Sequence, residues 1–145
     1  MPAQHTSTLI DPASVAAYQA AHFKVQAAGG FTLLLDKPNP ELAHLFIKDV
    51  VTSAAYITAY NPLGETVAAP VNKAAQAALE TDLRTLQLKS YPGQGEDPNG
   101  IWPAEVSVLA MGLTLDKAQA LGMKYNQNAI VWIGIDAVPR LLLLR

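Results

Sequence analysis

Apolar residues in this chain come in short runs, and their spacing switches between two periods. Alternating or continuous apolar stretches rich in aromatic and β-branched residues mark strands, and apolar residues three or four apart mark helices. "HFKVQ" and "FTLLLD" flank "AAGG" and predict a β-hairpin. "AAYITAY" predicts a strand over 54–61, "LKSY" a short strand over 88–91, and "EVSVLAMGL" a strand from residue 105. "NAIVWIG" and "VPRLLLL" predict two closing strands around a turn that contains Asp136.

Helix starts are written in cap chemistry. Asp11-Pro12 and Asn39-Pro40 each pair a capping side chain with a proline at the first helical position, predicting helices to about Ala20 and Lys48. Pro70 opens a third helix to about Leu86. Thr114 caps a fourth, whose Leu115, Ala118, Leu121 and Tyr125 share one face. "PGQGEDPNGIWP" reads as a loop over 92–103. The order is α-β-β-α-β-α-β-β-α-β-β. It predicts a tail over 1–10 and one α+β domain over 11–145, with a mixed β-sheet and helices packed on it.

Composition narrows the class. The chain has 145 residues, 50% hydrophobic and 15% charged, enough for one real core. No apolar run approaches the roughly 20 residues that span a bilayer, and the start lacks the charge and apolar segment of a signal peptide. With no cysteine, disulfides, thiolate metal sites and a cysteine nucleophile are excluded. The expectation is a cytoplasmic protein without a membrane partner. Net charge is −2 and the basic residues are scattered, which argues against a nucleic-acid partner. His5, His22 and His44 have no metal-ligand spacing, so no metal and no cofactor is expected. No motif names a reaction: G-x-S-x-G, His-Glu-x-x-His and the phosphate-binding glycine loop are all missing.

Chain direction brings the polar residues together. If strand 54–61 runs upward, the third helix descends, strand 88–91 rises, strand 105–112 descends and the fourth helix climbs. Asn61-Pro62, Asn72, the glycine-rich loop, Glu105 with Ser107, and Gln127-Asn128 then share one end of the sheet. Loops at strand ends beside a helix start are where such sheets build sites.

Each residue has a structural reading beside the functional one. Asn61 either fixes a turn or points its amide at a ligand, and the glycine and proline of "LGETVAAP" argue against a helix after it. Asn72 falls between Leu79 and Leu83 on the apolar face of its helix, where it bonds either loop backbone or ligand. Asp82 also falls near this face. Glu105 starts an apolar strand with Ser107 on the same face. Burial there raises a carboxyl pKa and suits it to general-base work, whereas a solvated strand end needs no such role. Asn126 or Asn128 can end the helix, which leaves Gln127 as the better ligand contact. Trp102 and Tyr60 offer a stacking surface, or anchor a loop.

"YITAYNP", the helix Asn72, "GQGEDPNGIWPAEVSVLAMGL" and "YNQNAIVWIG" together resemble the bacterial domain of unknown function 3293 family, over nearly the whole chain from about Asp11 to Arg145. In that family the recurrent T-A-x-N-P, helix Asn, E-x-S and Q-N-A pattern falls at Asn61, Asn72, Glu105, Ser107 and Gln127. The family often carries an Arg in the turn after the helix Asn. Here only Lys73 stands nearby, which weakens an anion-binding version of the site. The resemblance implies a bacterial protein and no known activity.

Two readings lead, and a third, a nucleic-acid or ribosome-associated protein, is disfavoured by the weak net charge. In one, a small polar ligand binds Asn61, Asn72, Ser107, Gln127 and Trp102, with Glu105 as base or acceptor. In the other, the polar set is structural and the chain is an interaction or assembly module. There the "LLLL" run either pairs across a homodimer or lies in the sheet centre. A monomer or a homodimer fits either reading.

Overall fold

A computed structural model describes residues 8–145. Four α-helices and seven strands occur in the described part, in the expected order. They are α1 (Pro12–Ala20), β1 (His22–Val25), β2 (Phe31–Leu33), α2 (Pro40–Asp49), β3 (Ala54–Ile57), α3 (Ala69–Thr85), β4 (Ser90–Glu96), β5 (Glu105–Met111), α4 (Leu115–Lys124), β6 (Ala129–Ile133) and β7 (Pro139–Leu143). Of the expected tail, residues 1–7, His5 among them, lie outside the described residues. Thr8 Oγ1 donates to the Arg145 carbonyl, and Ile10 is buried.

The caps form as their chemistry dictates. Asp11 accepts from the Ala13 amide, Asn39 from Leu42 and Thr114 from Lys117. Asn39 also donates through Nδ2 to the Thr32 carbonyl, which ties α2 to β2. Asn126, at φ 53, is the left-handed residue that ends α4.

One sheet runs in the order β2-β1-β4-β5-β3-β6-β7. The α+β domain is as expected, but every pairing is antiparallel and the sheet is not mixed. The physical reason is intercalation. The β3-α3-β4 and β5-α4-β6 crossovers each join strands of like direction, as in a parallel unit. In each case a strand of opposite direction separates the two: β5 lies between β3 and β4, and β3 lies between β5 and β6. This β-α-β-β-α-β interleaving is the split βαβ arrangement.

Strand alternation divides the core between the two faces. Ala55, Ile57, Val108, Ala110 and Ile130 face α3 and α4, meeting Leu79, Leu83, Ala118 and Leu121. Phe23, Val25, Ala54, Tyr56, Leu109, Met111 and Val131 face the other way, where Leu42, Leu45 and Phe46 of α2 cover one part. Strand β3 is buried on both faces because β5 and β6 flank it and helices cover it. Asp82 leaves the apolar stripe to accept Lys124 Nζ at 2.8 Å and the Tyr125 hydroxyl, joining α3 to α4.

Three local expectations change. Strand β4 continues through Pro92, Gly93, Gln94 and Gly95 to Glu96, so the loop is 97–104 and not 92–103. Glycine is weak in strands, yet here both neighbours, β1 and β5, supply ladders along that stretch. Asn61 is followed by a single 3-10 turn over Pro62–Gly64, where no helix was expected. Leu63 at φ 59 breaks its regularity, and the Asn126 carbonyl holds the Leu63 amide. Finally, the leucine run is at the sheet edge and not its centre: among the described residues β7 pairs with β6 alone, and Leu141 to Leu144 are half-buried.

Candidate functional site

The polar end of the sheet is held by two amides one turn apart on α3. Beyond Ile57 the chain leaves the β3 ladder, and its amides need other partners. Gln76 Oε1 accepts from the Ala59 amide at 2.8 Å, and Asn72 Oδ1 accepts from the Asn61 amide at 2.8 Å. Positions i and i+4 share a helix face, so Asn72 and Gln76 continue the stripe of Leu79 and Leu83 and replace its apolar contacts with two backbone hydrogen bonds. Asn72 is 6% exposed and Gln76 4%. Gln76 escapes a residue-by-residue reading; its signal is the four-residue spacing from Asn72.

Asn72 also donates from Nδ2 to Asn61 Oδ1 at 2.9 Å, and Asn61 Nδ2 donates to Glu105 Oε2 at 2.9 Å. Asn61 sits in the left-handed region at φ 49, which asparagine tolerates better than most residues. The direction of this relay is set at its α3 end. Asn72 Oδ1 must accept a backbone amide, so its Nδ2 donates, so Asn61 offers Nδ2 to the carboxyl. Glu105 Oε2 is therefore an acceptor whether the group is ionised or neutral, and a proton on Glu105 resides on Oε1.

Glu105 lines a cavity of about 200 Å³ on the α1/α2 face of the sheet, beyond the part that α2 covers. Ser14 and Tyr18 of α1 form one wall, and Phe23, Tyr56 and Val131 form the floor. Tyr60, Asn61 and Gly64 come from the rim after β3, and Gln127 and Asn128 from the end of α4. Trp102 closes the remaining side from the 97–104 loop. Asp97 shapes that loop: its carboxylate accepts from the amides of Asn99 at 2.8 Å, Ile101 at 2.9 Å and Trp102 at 3.3 Å. Glycine in β4 gives the floor its depth. The Tyr56 hydroxyl passes Gly93 to donate to the Lys24 carbonyl at 2.7 Å. Its ring meets Phe23 edge to face at 5.3 Å. Burial pushes the Tyr56 hydroxyl well above the usual phenol range, so it stays neutral.

Burial also raises the Glu105 carboxyl above 4.5, and the bond from Asn61 only partly offsets this. Among the described residues no Lys, Arg or His lines the cavity to compensate its charge. Gln127 Nε2 donates to the Tyr60 and Tyr125 carbonyls, each at 3.2 Å, leaving Oε1 without a partner among the described residues. Glu105 Oε1 is likewise unpartnered there, and neither oxygen is fully buried.

Of the residues singled out from the sequence, Asn61, Trp102, Glu105, Ser107 and Gln127 line this one cavity. Asn72 does not; it reaches the cavity only through Asn61. Ser107 is 3% exposed and spends its hydroxyl proton on the Glu105 carbonyl at 3.1 Å. His22 and His44 line no part of it. The sequence reading missed Tyr18, Phe23 and Tyr56, whose runs look like ordinary core.

Raised folded-state pKa sets the sign of a pH effect. The fold favours neutral Glu105, so the stability it contributes is full below its unfolded pKa and is lost as pH rises through the folded value. Glu105→Gln keeps an acceptor for Asn61 and cannot ionise. It should therefore raise the unfolding free energy at pH 7 by about 1 kcal/mol, the usual scale for relieving one functional polar group. That gain should shrink towards zero below the ordinary carboxyl value of 4.5. Urea melts of both proteins across this pH range check it; a constant or negative difference contradicts it.

The class this defines is a single α+β domain with an interleaved antiparallel core and an aromatic-walled cavity at one sheet end. The family model described as "Protein of unknown function (DUF3293)" matches residues 57–130, about half of the chain, and the chain belongs to that family. The match runs from the end of β3 to the start of β6 and holds the Asn61, Asn72, Glu105, Ser107 and Gln127 positions. It is narrower than the resemblance from Asp11 to Arg145. No curated protein and no solved structure matches the chain.

Proposed function

We propose that this cavity binds a small polar ligand with a planar or apolar body. The ligand stacks against Trp102 and the tyrosine walls, and Glu105, Gln127 and the Asn61 rim orient its polar end. One observation carries the reading: a carboxyl held by a directional amide relay in a mostly apolar cavity, its second oxygen unbonded and its charge uncompensated among the described residues. Mostly apolar walls with a few convergent polar groups are the usual make-up of a small-molecule site. Its raised pKa also suits Glu105 to proton transfer on a bound ligand. Asn72 enters as a positioning residue. A bacterial, cytoplasmic setting belongs to the same proposal. Among the described residues no helix is long and apolar enough to cross a membrane.

The test is an NMR fragment screen, with cationic, neutral and anionic aromatic fragments at millimolar concentration. The expected hits move the Trp102 indole resonance together with the Glu105 and Gln127 amides. If no fragment of any charge moves them, the cavity is not a ligand site.

The edge position of β7 supports a second reading, an assembly module. Leu141 to Leu143 sit half-buried on a strand that pairs with only one strand among the described residues, and such edges template pairing. Sedimentation at the same concentration separates the two: a dimer dispersed by Leu143→Pro favours assembly, and a monomer removes it.

A further inference from the structure

We infer that the cavity selects a small organic cation, an amine or ammonium group carried on a compact apolar body. The inference rests on the ligand-site reading above and deepens it.

Two independent features carry it. The first is the wall. Tyr18, Phe23, Tyr56, Tyr60 and Trp102 all line one cavity of about 200 Å³. Aromatic faces attract a cation through their ring quadrupoles, most strongly where water is displaced. The second is the pattern of polar groups. Among the described residues Glu105 is the one acid in the lining, and no base accompanies it. Gln127 Oε1, and Glu105 Oε1 when the carboxyl is ionised, are acceptors without a donor among the described residues. The neighbouring donors are already engaged: Ser107 on the Glu105 carbonyl, Tyr56 on Lys24, and Asn61 Nδ2 on Glu105 itself. Around Glu105 the site therefore presents acceptors and negative potential. The Ser14, Tyr18 and Tyr60 hydroxyls and the Trp102 indole N–H, which donate to no described residue, also line the cavity, so selection for a cation rests on the charge of Glu105 and the aromatic walls. An anionic ligand would meet the carboxylate with no compensating charge. An ammonium donates to the Glu105 carboxylate and supplies the missing countercharge, while its apolar body takes the rings. A carboxylate in such surroundings is costly to keep ionised alone; the ligand's charge removes that cost in the bound state.

Charge is isolated from shape by three probes of similar size: benzylammonium, benzyl alcohol and benzoate. Titrations of the full chain followed by NMR should give saturable binding of benzylammonium, with the Trp102 indole shifted. Benzyl alcohol should bind at least tenfold more weakly, and benzoate not at all. Glu105→Gln should weaken benzylammonium at least tenfold and change benzyl alcohol by less than threefold. Trp102→Leu, on a surface loop, should weaken the amine even if the Glu105 variant fails to fold. Equal or tighter binding of benzoate or benzyl alcohol overturns the cation inference and leaves the ligand site standing. Amine binding unchanged in Glu105→Gln also overturns it. If none of the three binds, this inference falls, and the ligand-site reading falls only when the wider fragment set also fails.

Discussion

Asn72→Ala should lower the unfolding free energy by about 2–4 kcal/mol, the range for breaking a buried polar network. Truncation removes the acceptor of the Asn61 amide and the donor to Asn61 Oδ1 together. Both bonds are part-buried at the first turn of α3, and Asn72 itself is 6% exposed. Of the partners left behind, Asn61 Oδ1 keeps the Val67 amide at 3.3 Å, while the Asn61 amide keeps none among the described residues. Asn61 then loses the orientation that aims Nδ2 at Glu105. The result should be a lower urea midpoint with an unchanged slope, together with weaker binding of any cavity ligand. Asn72→Asp retains the acceptor for the backbone amide but faces Asn61 Oδ1 with a second oxygen, so it should also destabilise. A loss under 1 kcal/mol in Asn72→Ala would mean that the relay does not hold the rim.

Gly93→Ala should cost about 1–3 kcal/mol, the scale of overpacking a filled interior, and should alter the cavity from beneath. A Cβ at this position would lie 2.6 Å from the Lys24 carbonyl oxygen and 2.7 Å from the Tyr56 hydroxyl. The first is backbone of the paired strand β1, so it cannot swing aside without opening the β1–β4 ladder. The second is the hydroxyl that bonds that same carbonyl. One methyl group therefore competes with a hydrogen bond and a strand pairing together. Tyr56 must shift in the floor, and benzylammonium binding should fall with stability. Gly95→Ala is the control: its Cβ would meet Ser107 Oγ and the Trp102 ring at 4.0 Å, ordinary contact distance. Equal tolerance of both changes would show that Gly93 is not there for the tyrosine.

These two residues mark opposite ends of what a sequence makes legible. Asn72 stands out because a polar side chain on an apolar helix stripe must find a partner. Its partner does not show, since that depends on where the chain after β3 crosses α3. Gly93 reads as part of a loop, because glycine and proline locally disfavour strands. Only the flanking β1 and β5 ladders keep "PGQGE" extended. Glu105 and Gln127 could be assigned to the end that holds Asn61 because short connections force alternate directions on successive elements. The cavity itself could not be placed. It lies where α1 stands over the sheet beyond the reach of α2, and no single segment encodes that gap.

By itself the sequence determined the elements, their order and their starts, through caps and periodicities that act within about one helical turn or one strand. It also determined which polar residues share an end, because chain direction follows from element order. The tertiary structure alone decided the strand order, with β5 and β3 intercalated so that the sheet is antiparallel throughout. It also decided the edge position of the leucine run and the ring of aromatics around Glu105. Those depend on which distant faces bury against each other. A side chain's local pattern says that it will be buried, and the partners that the whole chain brings to it decide whether that burial makes a core or a site.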